Sequence, residues 1–164
     1  VAGGVPTVVH WGASLGADVD LAAMAGALGR PEVAGAVAQV APVSVVPLHA
    51  DGFPGRAGLM GRRAGGRSWS PHFVTVSHRR EGQAMIVESI DERAELALVT
   101  TIDVGDALAV MATLTNTAAR RYSLNALTIT RPLPPHADEL LQFDCRWARE
   151  FQPVRRPWAD GSVL

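Results

Sequence analysis

The strongest constraint on the fold lies between His72 and Thr130. Short apolar segments follow one another there, with turn clusters between them and no helical stretch. Phe73-Val-Thr-Val76, Ala84 to Ile90, Glu95 to Ile102, Ala107 to Leu114 and Tyr122 to Thr130 read as strands. They are punctuated by Arg79-Arg-Glu-Gly82, Asp103-Val-Gly-Asp106 and Asn116-Thr-Ala-Ala119. The side-chain period is two: Leu96, Leu98, Thr100 and Ile102 share one face, as do Leu108, Val110, Ala112 and Leu114. Strands at this spacing, with no crossover helices, predict a mainly β protein built as an antiparallel β-sandwich with one or two short helices.

The segments before this run are less regular. Pro6-Thr-Val-Val-His-Trp11 reads as a short strand. Asp18 or Asp20 is placed to cap a short helix running through Leu28, with Gly29 and Pro31 as its stop. Glu32 to Val46 reads as extended. Pro47 to Pro71 is rich in Gly and carries Arg56, Arg62, Arg63 and Arg67; it reads as a long loop with room for short strand pieces. Loops of this length in compact domains usually have a task. After Arg131-Pro-Leu-Pro-Pro135, a short helix is expected over Ala137 to Phe143. Trp147, Phe151 and Trp158 are three of the chain's eight Phe and Trp residues, crowded near the end, so the tail is expected to pack against something.

Composition narrows the chemistry. The net charge is −1 over 164 residues, so no global field draws the chain to nucleic acid or to a membrane surface. All 15 basic residues are Arg, which excludes a P-loop lysine, a Schiff-base lysine and a lysine general base. The single Cys145 excludes an internal disulfide and a multi-cysteine zinc site, and makes a reducing, cytoplasmic location the default. No apolar run is long enough to span a bilayer. The start, Val1-Ala-Gly-Gly, has no charged leader region and no initiator Met, which predicts no signal peptide and suggests an excised piece.

Several motifs carry an ordinary reading beside a chemical one. Gly12-Ala-Ser14-Leu-Gly16 matches a nucleophile elbow, but an elbow belongs in a mostly parallel sheet alternating with helices, so Ser14 is read as part of a turn. The histidines at 10, 49, 72, 78 and 136 show no paired ligand spacing, and no metal or other cofactor is expected. The carboxylates between Glu88 and Glu95 read as solvent-facing. Gly52, Gly55, Gly58 and Gly61 recur every third residue and would let backbone approach a ligand or another subunit closely. Six Arg and no acid fall between Asp51 and Glu81: a solvated basic loop, or a planar-fork surface for carboxylates, hydroxyls or a partner.

Taken in order, the segments resemble the start of microbial α-galactosidases of glycoside hydrolase family 36. Pro6-Thr-Val-Val-His-Trp11-Gly12 resembles the family's opening. Asp51-Gly-Phe-Pro-Gly-Arg-Ala-Gly-Leu-Met-Gly-Arg-Arg63 resembles its Gly-rich stretch ending Pro-Gly-Leu-x-Gly-His-Arg, with Ala57 in place of Pro and Arg62 in place of His. Trp69-Ser-Pro-His-Phe73, Tyr122-Ser-Leu-x-x-Leu127, Leu133-Pro and Ala137-Asp-Glu-Leu-Leu141 are similar to the segments that follow. Arg146-Trp-Ala-Arg-Glu150 resembles Gly-Arg-Trp-x-x-Glu, with Cys145 where Gly is usual.

The resemblance implies an N-terminal β-supersandwich domain over residues 1–143. Residues 144–164 would then be a connector toward a (β/α)8 catalytic barrel absent from this chain. The two aspartates of the retaining reaction would lie in that barrel, so no catalytic residue is expected here. Some family members are tetramers whose N-terminal loop reaches a neighbour's active-site mouth. Carried over, this implies a homo-oligomer in which Asp51 accepts sugar hydroxyls, Arg63 orients Asp51 or a hydroxyl, and Trp69 stacks on a sugar face. The expected partners are the chain's own barrel and galactosides such as melibiose or raffinose, with no nucleic acid and no membrane. A free-standing carbohydrate-binding sandwich and a purely structural interdomain scaffold are the alternatives.

Overall fold

The computed structural model describes residues 4–27, 43–133 and 136–158. The chain divides into two compact units: the described parts of Val1–His10 with Leu15–Pro132, and of Trp11–Ser14 with Leu133–Leu164. All strand pairings among the described residues are antiparallel, and the protein is mainly β.

The first unit is built on a four-stranded meander. Its strands are β2 (Val74–Glu81), β3 (Ala84–Asp91), β4 (Leu96–Val104) and β5 (Leu108–Asn116), in that spatial order. The alternation read from the sequence sets its faces. Leu96, Leu98 and Thr100 are buried, while Ala97, Val99 and Thr101 are less so. Opposite them on β5, Asn116, Leu114 and Ala112 complete the rows, so Leu98 meets Leu114 and Thr100 meets Ala112. A bulge between Thr75 and Ser77 shifts the β2–β3 register.

A second, smaller layer covers this face. β1 (Leu59–Arg62) pairs with β6 (Ser123–Leu127), so the loop that the sequence predicts over 47–71 does hold a strand piece. The opening segment contributes a single bridge, Thr7 to Ser44, rather than a full strand. One apolar cluster joins the layers: Val5, Val45, Val46, Leu48 and Leu59 from one side, and Phe73, Ala94, Leu96 and Leu98 from the other. Among these, Phe73 and Val46 are completely excluded from solvent.

Helix α1 (Leu21–Ala27) begins where the sequence places it. Asp20 is its cap, with Oδ1 accepting from the amides of Ala22 (2.9 Å) and Ala23 (3.0 Å). The expected stop at Gly29 and Pro31, and most of the extended reading of 32–46, lie outside the described residues. Ser14 follows a bend at Gly12 and Ala13 and is itself in irregular chain, and all strand pairings among the described residues are antiparallel, which is not the setting of a nucleophile elbow.

The second unit corrects one expectation. Ala137 to Phe143 is not helical. β7 (Glu139–Arg146) pairs with β8 (Arg149–Pro157) as an antiparallel hairpin that runs across the 143/144 position. Phe143 meets Phe151 edge-on, with ring centroids 6.2 Å apart. Leu141, Phe143 and Phe151 are exposed, and Trp147 is wholly so. The packing expected of the tail is therefore not supplied by this hairpin itself.

The glycine repeat has a physical role in the first unit. A Cβ on Gly58 would come within 2.8 Å of the Thr128 carbonyl and 2.9 Å of the Pro47 ring. On Gly61 it would meet the Tyr122 ring at 2.5 Å and the Ser123 carbonyl at 2.8 Å. For Gly58 and Gly61 the close approach is to the chain's own β6 side. Gly61→Ala must push against backbone as well as a ring, so it is expected to destabilise the fold by about 1–3 kcal/mol, measured by chemical unfolding.

Candidate functional site

The loop predicted to carry function is organised by two short turns and by buried residues that anchor them. Pro47 and Leu48 are buried, and the chain then turns through a 3-10 segment, His49–Asp51. Gly52 closes it with φ of 82°, in the left-handed region that glycine adopts without strain. The amide of Asp51 donates to the Leu48 carbonyl at 3.2 Å, which fixes the Asp51 backbone on a buried neighbour. The next group arrives from the far end of the loop. Pro71 and Phe73 are both buried and His72 between them is exposed, so the core holds its backbone while the imidazole projects outward.

These two anchored points meet. The Nδ1 of His72 lies 3.3 Å from Oδ1 of Asp51. Half-burial pushes the Asp51 pKa above the ordinary carboxylate range, and the charge and hydrogen bond of His72 oppose that shift. Trp69 stands nearby, 61% exposed, with its ring centroid 6.0 Å from that of His49. His49 Nδ1 is itself 3.1 Å from the Phe53 carbonyl oxygen. A cavity of about 870 Å³ opens beside Trp69 and His72, with Val74, Val76 and Ile90 among its apolar lining and Arg67 and Arg93 among its polar lining. Asp51 does not line it.

Asp91 supports this arrangement and departs from the solvent-facing reading of the 88–95 carboxylates. It is buried, and each of its oxygens has a backbone partner: Oδ2 accepts from the His72 amide at 2.7 Å and Oδ1 from the Ala94 amide at 2.9 Å. One carboxylate thus ties the start of β2 to the β3–β4 turn. Nothing in the local sequence marks Asp91 as different from Glu88 or Glu92; its burial follows from the register of β3.

Arg63 is placed elsewhere than expected. Its side chain does not bond Asp51. It is 4% exposed and makes five hydrogen bonds: to the carbonyls of Ala94 (two, 3.2 and 2.6 Å), Glu95 (3.2 Å) and Arg120 (2.7 Å), and to Asn116 Oδ1 (2.9 Å). Its guanidinium also lies 5.6 Å from the centre of the Tyr122 ring. The residue available to orient Asp51 is His72, which the sequence offers only as one histidine among five.

Among the described residues, no group of three or more His, Cys, Asp or Glu is placed to hold a metal ion. No helix among them is long and apolar enough to cross a membrane.

The two-layer antiparallel β domain with an exposed tryptophan and a carboxylate–imidazole pair in one loop has a counterpart among known families. The model of the glycosyl hydrolase family 36 N-terminal domain matches residues 4–164. The chain belongs to this family. It is 34% identical over 140 residues to an α-galactosidase of Escherichia coli, an alignment covering 84% of this chain. The chain spans only 20% of the length of that relative. No solved structure matches it.

Two outcomes are expected. Arg63→Met leaves buried carbonyls without donors and should cost about 3 kcal/mol or more of folding stability, read by denaturant titration. For Asp51 the sign is unusual. A carboxyl whose folded pKa is raised above its unfolded value opposes folding once ionised. That penalty is absent below the unfolded pKa and is complete above the folded one. Asp51→Asn should therefore raise the melting temperature at pH 7, with the gain vanishing as the pH falls below the carboxylate range.

Proposed function

We propose that this chain is the N-terminal part of an α-galactosidase that removes terminal α-linked galactose from galacto-oligosaccharides with retention. The chemistry resides in a following (β/α)8 barrel, where one aspartate attacks and a second serves as acid and base. The present chain contributes assembly and a wall of the sugar pocket, and carries no catalytic residue. The single observation that supports this most strongly is the family match along nearly the whole chain together with similarity to a named α-galactosidase.

Within that reading the sugar-facing groups are Asp51 and Trp69. An ionised carboxylate accepts hydrogen bonds from sugar hydroxyls, and an exposed indole offers a flat apolar face to a pyranose ring. Arg63, buried and committed to carbonyls, belongs to the frame that holds the loop, which favours the scaffold alternative for that residue. In an oligomer the loop presents its groups to a neighbouring subunit's pocket. The exposed Leu141, Phe143 and Phe151 of the hairpin give the rest of the polypeptide an apolar surface to cover. A cytoplasmic location fits the lone, exposed Cys145. Neither nucleic acid nor membrane is a partner.

The isolated chain should show no turnover of an aryl α-galactoside; hydrolysis at glycosidase rates would overturn the assignment of catalysis to the barrel. In the full-length enzyme, Asp51→Ala should raise KM by about 10- to 100-fold, the scale of a lost hydrogen bond to a charged group, with kcat changed much less. Unchanged KM would leave the purely structural reading.

A further inference from the structure

We propose that His72 is a positioning residue, whose imidazole holds the Asp51 carboxylate in the orientation that receives a ligand hydroxyl. The inference rests on the reading above, in which Asp51 binds sugar, and adds to it the group that makes Asp51 competent.

The argument begins with the backbone. Twenty-one positions separate the two residues in the sequence, yet each is clamped by the fold within a residue or two of its side chain. Asp51 ends a 3-10 turn that starts next to the buried Leu48, and its amide is bonded to that residue's carbonyl. His72 lies between buried Pro71 and fully buried Phe73, and its own amide is held at 2.7 Å by the buried carboxylate of Asp91. The meeting of the two side chains is therefore set by the scaffold and does not depend on a weak surface attraction to bring them together.

The chemistry then assigns the roles. The imidazole's Nδ1 stands 3.3 Å from Oδ1 of Asp51, within ion-pairing reach, and when it carries a proton it draws that oxygen toward the ring. In the proposed role that contact engages one carboxylate oxygen and restrains the rotation of the group, so that the other oxygen serves the ligand. Asp51 is half-buried and His72 is 60% exposed on its side chain, so the carboxylate needs a partner more than the imidazole does. Trp69 lies against His49, two residues before Asp51, and lines one cavity together with His72, so the indole and the pair belong to one loop. Arg63 does not fill this role, because its buried guanidinium is directed at the carbonyls of Ala94, Glu95 and Arg120 and at Asn116.

The test is a set of variants of the full-length enzyme assayed on an aryl α-galactoside, with melting temperatures measured alongside. His72→Ala should raise KM about 5- to 10-fold while kcat stays within about twofold. His72→Asn, whose side-chain amide can present a donor close to the Nδ1 position, should recover most of that loss. In an Asp51→Ala background, His72→Ala should add nothing further, since its effect runs through the missing carboxylate. If Asp51→Ala raises KM and His72→Ala does not, the inference is overturned while the sugar-binding reading of Asp51 stands. Full additivity of the two variants, or failure of Asn to rescue, also overturns it. If Asp51→Ala leaves KM unchanged, the reading itself fails and the inference falls with it.

Discussion

Taking a guanidinium out of water is tolerable only when its donors meet acceptors with good geometry. Arg63 meets this requirement by drawing three separate stretches of chain onto itself. It leaves the end of β1 and reaches the β3–β4 turn at Ala94 and Glu95, the end of β5 at Asn116, and the β5–β6 connection at Arg120. Carbonyls at the ends of strands have no ladder partner, so they are the groups most in need of a donor. The planar fork of arginine can serve several at once where a lysine could not. Glu95 feels the same charge: its carboxyl is held below the usual range, first by its ion pair with Arg120 and also by Arg63. The small β1–β6 layer is thereby pinned to the large sheet at the point where the chain leaves β1 toward Trp69 and His72.

From this pin the geometry of the loop follows. Gly61 allows β1 to lie flush beneath Tyr122, and Tyr122 in turn covers the Arg63 guanidinium. Beyond Arg63 the chain bonds back on itself, with the Arg63 amide donating to the Arg67 carbonyl at 2.7 Å, and then brings Trp69 and His72 to the surface. Asp91 fixes the far end. Two buried charged side chains, Arg63 and Asp91, thus bracket the segment that displays the exposed groups, and both act on backbone atoms. That division of labour explains why the segment can be rich in glycine and still present a defined arrangement.

Much of the fold was legible because the relevant signals are local. The inner face of β4 could be read from Leu96, Leu98, Thr100 and Ile102, since a strand with one buried face writes that face into every second residue. The cap at Asp20 was equally local. The hairpin of the second unit was not. Ala137-Asp-Glu-Leu-Leu141 carries a helix-start pattern, and its partner strand contains Pro153 and Pro157, which ordinarily argue against a strand. They are tolerated because a two-stranded ribbon leaves each strand one free edge, where a missing amide proton costs nothing. The Gly-rich stretch was legible as a loop, and the contacts within it were not. Asp51 and Trp69 come from the family resemblance and not from a local pattern; the first is half-buried and the second exposed. Arg63 sits among Arg62 and Arg67, which are exposed, and nothing local separates it from them. Only the convergence of distant carbonyls gives it a buried place, and only the 3-10 turn at His49–Asp51 brings Asp51 to His72.

The seating of His72 between two buried neighbours has a practical side. Residues 49, 69 and 72 all point away from a core whose own residues make the mount, so their side chains can be exchanged with little disturbance beneath them. A small combinatorial library at these three positions would sample new recognition chemistry on an unchanged chassis.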